Sequence, residues 1–246
     1  MSTPTEPVRI AMWSGPRNIS TAMMRSFENR ADCVVVDEPF YACYLAHSGV
    51  VHPMQEAVLA SQPRQWSAVT AALREPLPAG VTLQYQKHMT HHMLEDLDAA
   101  WVQEVQHAFL IRNPADMVAS YVNKRGSVTV DDLGLPRQVA LYQSIQAATG
   151  QRPPVVEARD VLQDPEPALR QLCGALGIAF APEMLAWPAG LRSSDGVWAS
   201  HWYNAVETST GFGAYSSHSE KLPSEYQRVV DACQPYYEFF QAQKSV

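Results

Sequence analysis

The chain has 246 residues, 46% of them hydrophobic and 17% charged, with 18 Lys+Arg against 25 Asp+Glu and a formal net charge of −7. That length suits one large domain or two small ones, and a charged fraction below the roughly 25% of ordinary globular chains goes with a large core and excludes disorder. Lysine is the scarce cation, present only as Lys87, Lys124, Lys221 and Lys244, so this acidic chain is a poor coat for DNA or RNA and has to hold any anion locally.

Short apolar runs alternate with longer helical patterns. In chain order, Val8 to Ser14 reads as a strand, Ser20 to Asn29 as a helix, Cys33 to Asp37 as a strand and Gln65 to Leu73 as a helix. Val81 to Gln86 gives a third strand, Thr90 to Ala100 a helix, His107 to Ile111 a fourth strand and Pro114 to Lys124 a helix. A helix over Pro136 to Thr149, a strand over Pro154 to Glu157 and a helix over Pro165 to Leu176 follow, each helical proline suiting a first turn. Residues 186–217, rich in Trp, Gly and Ser, read as a lid or binding loop before a closing helix over Ser224 to Gln243. No repeat or long linker divides the chain, so it is read as one domain. The alternation implies an α/β fold with a mostly parallel central sheet of about five strands, covered on both faces, with ligands at the C-terminal strand ends.

No run approaches the ~20 apolar residues of a membrane span. Met1 to Pro7 lacks the cation and apolar core of a signal peptide. Cys33, Cys43, Cys173 and Cys233 show no metal-finger spacing and read as reduced, buried thiols. These features suggest a cytoplasmic protein without a membrane or nucleic-acid partner, as monomer or homodimer.

The first strand runs through Ser14-Gly15-Pro16-Arg17-Asn18-Ile19-Ser20-Thr21 into an amphipathic helix, the layout of an anion-binding loop. Gly15 permits a tight turn, the helix opens with free N–H groups, and Arg17 adds a fixed charge. An ordinary Ser/Thr cap after a turn is the plain alternative. Ser20 stands where a nucleoside-triphosphatase carries its phosphate lysine, which disfavours a P-loop nucleotide kinase or hydrolase.

The strand followed by Pro16-Arg17-x-x-Ser20-Thr21 resembles the 5′-phosphosulfate loop of sulfotransferases that use 3′-phosphoadenosine 5′-phosphosulfate (PAPS), with Ile19 in the place of their usual Gly. Arg112-Asn113-Pro114, with Ser120 eight positions beyond the arginine, is similar to that family's 3′-phosphate site. Asp37-Glu38-Pro39 resembles the Glu-Pro segment of carbohydrate sulfotransferases, in which the Glu activates the acceptor, and a strand-end carboxyl beside Phe40 and Tyr41 suits a base of raised pKa. Lys87-His88 resembles the Lys-Thr-His segment of cytosolic sulfotransferases, so His88 or His91 competes with Glu38 as base, while Lys87 would contact the moving group. His88 and His92 would share a helical face if they were metal ligands, but Met89 replaces the HExxH glutamate and no third ligand is evident. Ala158 stands where the family packs a Tyr near adenine, leaving Trp198, His201 and Trp202 as candidates for stacking and anion contact. The resemblance thus implies a P-loop-type three-layer fold, PAPS as co-substrate, PAP as product and no required metal. It also implies a small acceptor, partly apolar to suit the aromatic-rich insertion from Tyr41 to Trp66. A non-catalytic nucleotide-binding protein that keeps the fold is the rival from another class.

Overall fold

The computed structural model describes residues 6–94, 98–217 and 222–244, with the side chains at 124 and 125 left out. The chain runs β1 (Val8–Ser14), α1 (Ser20–Glu28), β2 (Cys33–Asp37), α2 (Tyr41–Ser48), α3 (Gln55–Ser61), α4 (Trp66–Leu73) and β3 (Leu83–Met89). After a 3-10 turn at Thr90–His92 come α5 (Ala99–Glu104), β4 (Gln106–Ile111), α6 (Pro114–Arg125), α7 (Val130–Leu133) and α8 (Leu135–Thr149). Then follow β5 (Val155–Glu157), α9 (Ala158–Gln163), α10 (Pro165–Ala175), a second 3-10 turn at Pro182–Leu185, α11 (Ala199–Trp202), α12 (Asn204–Glu207) and α13 (Ser224–Gln243).

The five strands form one parallel sheet in the order β2-β3-β1-β4-β5. Alternation along β1 shows why both faces are covered. Ile10 and Met12 enter one core with Phe27 of α1 and Leu172 of α10, while Ala11 and Trp13 enter a second with Trp101 of α5, Tyr142 of α8 and Phe240 of α13. The expected α/β architecture is therefore present, with helices on both sides of the sheet. All four cysteines are free and buried. No helix among the described residues is long and apolar enough to cross a membrane.

Two sequence expectations need correction. The third strand lies at Leu83–Met89 rather than over Val81 to Gln86, because Lys87 and His88 are buried with polar partners and the strand continues through them. The helix expected from Thr90 to Ala100 is instead a single 3-10 turn followed by α5, with residues 95–97 outside the described residues. The insertion from Tyr41 to Trp66 holds two helices, α2 and α3, and reaches the first residue of α4.

Candidate functional site

A parallel sheet carries all its C-terminal strand ends to one rim, and here that rim borders a cleft of about 300 Å³. Strand order fixes what stands where. Glu38 follows β2, Lys87 and Met89 end β3, the Pro16–Thr21 loop follows β1, and Arg112 follows β4; all of these line the cleft. The β5 end is closed off, because Glu157 accepts hydrogen bonds from Tyr237 and from Gln241 (2.9 Å) of α13.

The β1–β4 portion is cationic. Arg17 Nε donates to Ser120 Oγ at 3.0 Å, and Arg112 Nη1 donates to the Arg17 carbonyl at 2.7 Å, so two guanidinium groups converge on one hydroxyl and one loop. Neither makes a salt bridge among the described residues, and the buried Arg112 Nε has no hydrogen-bond partner. Burial lowers the Arg17 pKa; it also lowers that of Arg112, which Asp116 partly opposes and Arg17 reinforces. No side chain caps α1, so its first-turn N–H groups remain beside these two charges, with Ser20 and Thr21 on the wall. Two half-buried like charges, one with an unpartnered donor, suit a multiply charged anion.

The loop geometry gives each of its residues a distinct task. A Cβ on Gly15 would stand 2.5 Å from the Leu133 carbonyl oxygen and 2.9 Å from Met117 Cε, so Gly15 serves the close approach of the α7–α8 joint rather than lining the cleft. Asn18 Nδ2 donates to the Leu110 carbonyl at 2.7 Å and pins the loop to β4. Ile19 adopts φ 42°, the left-handed conformation for which glycine is suited, so the departure at this position is borne as backbone strain. Arg17 (φ 59°) and Glu38 (φ 41°) share that conformation, which places three of the four described non-glycine residues of positive φ on the cleft wall.

The β2–β3 portion is an acid–lysine cluster. Register sets Asp37 opposite Lys87. The Lys87 ammonium, in a side chain 1% exposed, lies 2.9 Å from Asp37 Oδ1, 2.6 Å from Glu38 Oε1 and 2.6 Å from the Tyr203 hydroxyl. Tyr203 also donates to Asp37, with O···O distances of 2.8 and 2.7 Å to its two oxygens. Burial raises the Glu38 carboxyl above its ordinary pKa and Asp37 adds to this, against the pull of Lys87. Burial works against charge on Lys87, but Asp37 and Glu38 outweigh it and hold the ammonium well above its ordinary value. Glu38 thus stands on the cleft wall as a carboxyl of raised basicity with a fixed cation beside it.

His88 is not in the cleft. Consecutive strand residues face opposite sides, so with Lys87 and Met89 on the rim wall His88 turns into the second core. There it stacks on Trp13 (centroids 4.4 Å apart), its Nε2 is 3.1 Å from Gln86 Oε1, and burial lowers its pKa well below the ordinary value. The shared helical face on which a metal reading of His88 and His92 depends does not exist either, since one lies in a strand and the other in a 3-10 turn. His91 and His92 do line the cleft.

Residues 186–217 cover the rim but use different side chains from those expected. Trp198, 1% exposed, packs edge-on against Tyr41 and donates from its indole N–H to Tyr203 at 3.2 Å, while His201 packs on Trp202; neither Trp198 nor His201 lines the cleft. Trp202, Tyr203 and Val206 do. Sequence reading missed Tyr203, which differs from the neighbouring tryptophans in having a hydroxyl that reaches the buried Asp37 carboxylate. The segment is tied to α1 by Arg25, whose Nη2 lies 2.6 Å from Asp195 Oδ2, and by Arg192, 3.0 Å from Glu28 Oε2. Gly196 N donates to Asp37 Oδ2 at 3.1 Å.

Comparison with known proteins gives the chain its family and relates its fold to a solved structure. Two Arabidopsis thaliana proteins, named branched-chain-amino-acid aminotransferase-like proteins 2 and 1, are 33% and 34% identical over 228 and 234 residues, covering 93% and 94% of this chain. The match takes up only 40% and 41% of those proteins, so the chain spans well under half the length of its curated relatives. A sulfotransferase from Alicyclobacillus acidocaldarius shares the fold at a TM-score of 0.57 with 10% identity, over 96% of each chain. A family model described as a sulfotransferase domain matches residues 8–244, and the chain belongs to that family.

Proposed function

We propose that this protein transfers a sulfuryl group from PAPS to the hydroxyl or amine of a small acceptor, acting as one catalytic domain. The observation that carries the reading is the convergence of Arg17, Ser120 and Arg112 beside the uncapped start of α1, a half-buried cationic pocket without a salt-bridge partner among the described residues. Arg112 and Ser120 would hold the 3′-phosphate, and Arg17 with the loop N–H groups the 5′ anion. The co-substrate, when bound, supplies the sulfuryl group and a phosphate leaving group. Glu38 removes the acceptor proton as the acceptor oxygen or nitrogen bonds to sulfur and the bond from sulfur to the bridging phosphate oxygen breaks. Lys87 steadies Glu38 and the charge on the moving group. A sulfuryl group carries less charge than a γ-phosphoryl group, so these cations suffice without a metal.

Calorimetric titration with adenosine 3′,5′-bisphosphate and, separately, with ATP and magnesium tests the reading. The expected result is preference for the bisphosphate, lost in Arg112→Ala. Preference for ATP would overturn it, and bisphosphate binding with no turnover across varied acceptors would favour a non-catalytic nucleotide-binding protein.

A further inference from the structure

The cleft is polarised along the rim. Its β1–β4 portion holds Arg17 and Arg112, whereas the cation of the β2–β3 portion, Lys87, is shared between Asp37 and Glu38, which leaves negative charge in excess. Asp132 adds another carboxylate to the wall. It comes from α7, whose following Gly134 packs on Thr90 and His91. The surfaces here are flat: Tyr41 stacks on His92 with centroids 4.5 Å apart and planes 10° apart, and Trp202 lines the cleft from the covering segment.

One buried ring nitrogen stands among these aromatic groups. His92 Nδ1, in a residue 2% exposed, has no hydrogen-bond partner among the described residues, and it lies 4.0 Å from Glu38 Oε2, too far for the two to bond directly. One hydroxyl or amine placed between them would bond to both. Burial, with His91, His52, Lys87 and His88 around it, holds the His92 pKa well below the ordinary value, so the ring adds no positive charge. The groups facing Glu38 are Asp37, Lys87, Tyr203 and His92, of which only Lys87 is cationic.

We propose that the acceptor binds in this β2–β3 portion, with its reacting hydroxyl or amine between Glu38 Oε2 and His92 Nδ1, and that the portion selects a flat acceptor that is uncharged or positively charged over an anionic one. The inference rests on the sulfuryl-transfer reading and adds to it the charge and shape of the acceptor. Anions are drawn to the arginines at the other portion, so the polarity also keeps donor and acceptor from exchanging places.

Three phenols of similar shape test it: tyramine (cationic), 4-ethylphenol (neutral) and 4-hydroxyphenylacetate (anionic), titrated calorimetrically with and without saturating adenosine 3′,5′-bisphosphate. Tyramine and 4-ethylphenol should bind at least tenfold more tightly than 4-hydroxyphenylacetate. Val206→Arg, which adds a cation to the same wall, should narrow or reverse that order, and His92→Phe should weaken tyramine and 4-ethylphenol alike while leaving bisphosphate affinity unchanged. Equal or tighter binding of the anion, or no binding of any of the three, overturns the proposal. Failure of the bisphosphate itself to bind is a separate result, which tells against the sulfuryl-transfer reading.

Discussion

Lys87→Met isolates the acid–lysine cluster. Methionine keeps most of the stem volume and removes the charge, leaving Asp37 (side chain 1% exposed) and Glu38 (11%) adjacent without a counter-ion. Breaking a buried ion pair by deleting one partner costs about 3–5 kcal/mol. For a chain of this length about 1 kcal/mol corresponds to roughly 2–4 °C in Tm, so the variant should melt roughly 6–20 °C lower near neutral pH. The loss should also depend on pH. Burial already raises the Glu38 carboxyl, and without Lys87 it rises further, so between the ordinary Glu value of about 4.3 and the folded value the native state binds a proton that the unfolded state has released. Stability of the variant therefore falls as pH rises through that window, levels off above it, and is closest to wild type at mildly acid pH. Thermal melts and urea titrations of both proteins near pH 5 and pH 7.5 measure this. A loss equal at both pH values, or a variant as stable as wild type near pH 7.5, would refute the assignment of Lys87 as the counter-ion of two buried carboxylates.

The choice of base is open to a direct kinetic comparison. Glu38→Gln should lower kcat by roughly 10²–10⁴, the usual contribution of general-base catalysis, with bisphosphate affinity unchanged. Wild-type kcat/KM should fall as pH drops through a value above the ordinary carboxylate range, because the reaction needs Glu38 ionised and burial raises its pKa. His88→Gln should instead lower Tm, leave kcat near wild type and leave the pH profile in place. Gly15→Ala should destabilise the fold by about 1–3 kcal/mol and weaken bisphosphate binding, since the added carbon meets a backbone oxygen at 2.5 Å and the loop has to shift.

Elements whose ends are marked by a change in apolar pattern were legible from composition and spacing. β1, β2 and α13 lie at the predicted residues, the first two as apolar runs closed by polar turns. Glu38, Arg17 and Arg112 were legible because a parallel sheet gathers its strand ends at one rim whatever the loops contain, and Ser120 because it stands eight positions after Arg112 in the pattern of the family it resembles. The end of β3 was not, because Lys87 and His88 break the apolar run, while the strand continues through backbone pairing with β1 and with the ammonium neutralised by Asp37 and Glu38. Once that strand is extended, the period of two alone decides that Lys87 and His88 cannot share the cleft. The covering segment was legible as a cover but not in its residues, since Trp198, Trp202 and Tyr203 are alike in hydropathy and separated only by which of them reaches Asp37.

The ties between α1 and the covering segment govern how ligands come and go. Arg25 is fully buried and reaches across to Asp195, with Glu28 bridging Arg25 and Arg192 beside it. Swinging the cover away as a flap would pull Arg25 from Asp195 in the interior, at about 3–5 kcal/mol, and would drag on the helix whose first turn forms the anion loop. The covering segment is therefore held to the helix that follows the Pro16–Thr21 turn, and opening it as a hinged flap carries the cost of breaking those ion pairs.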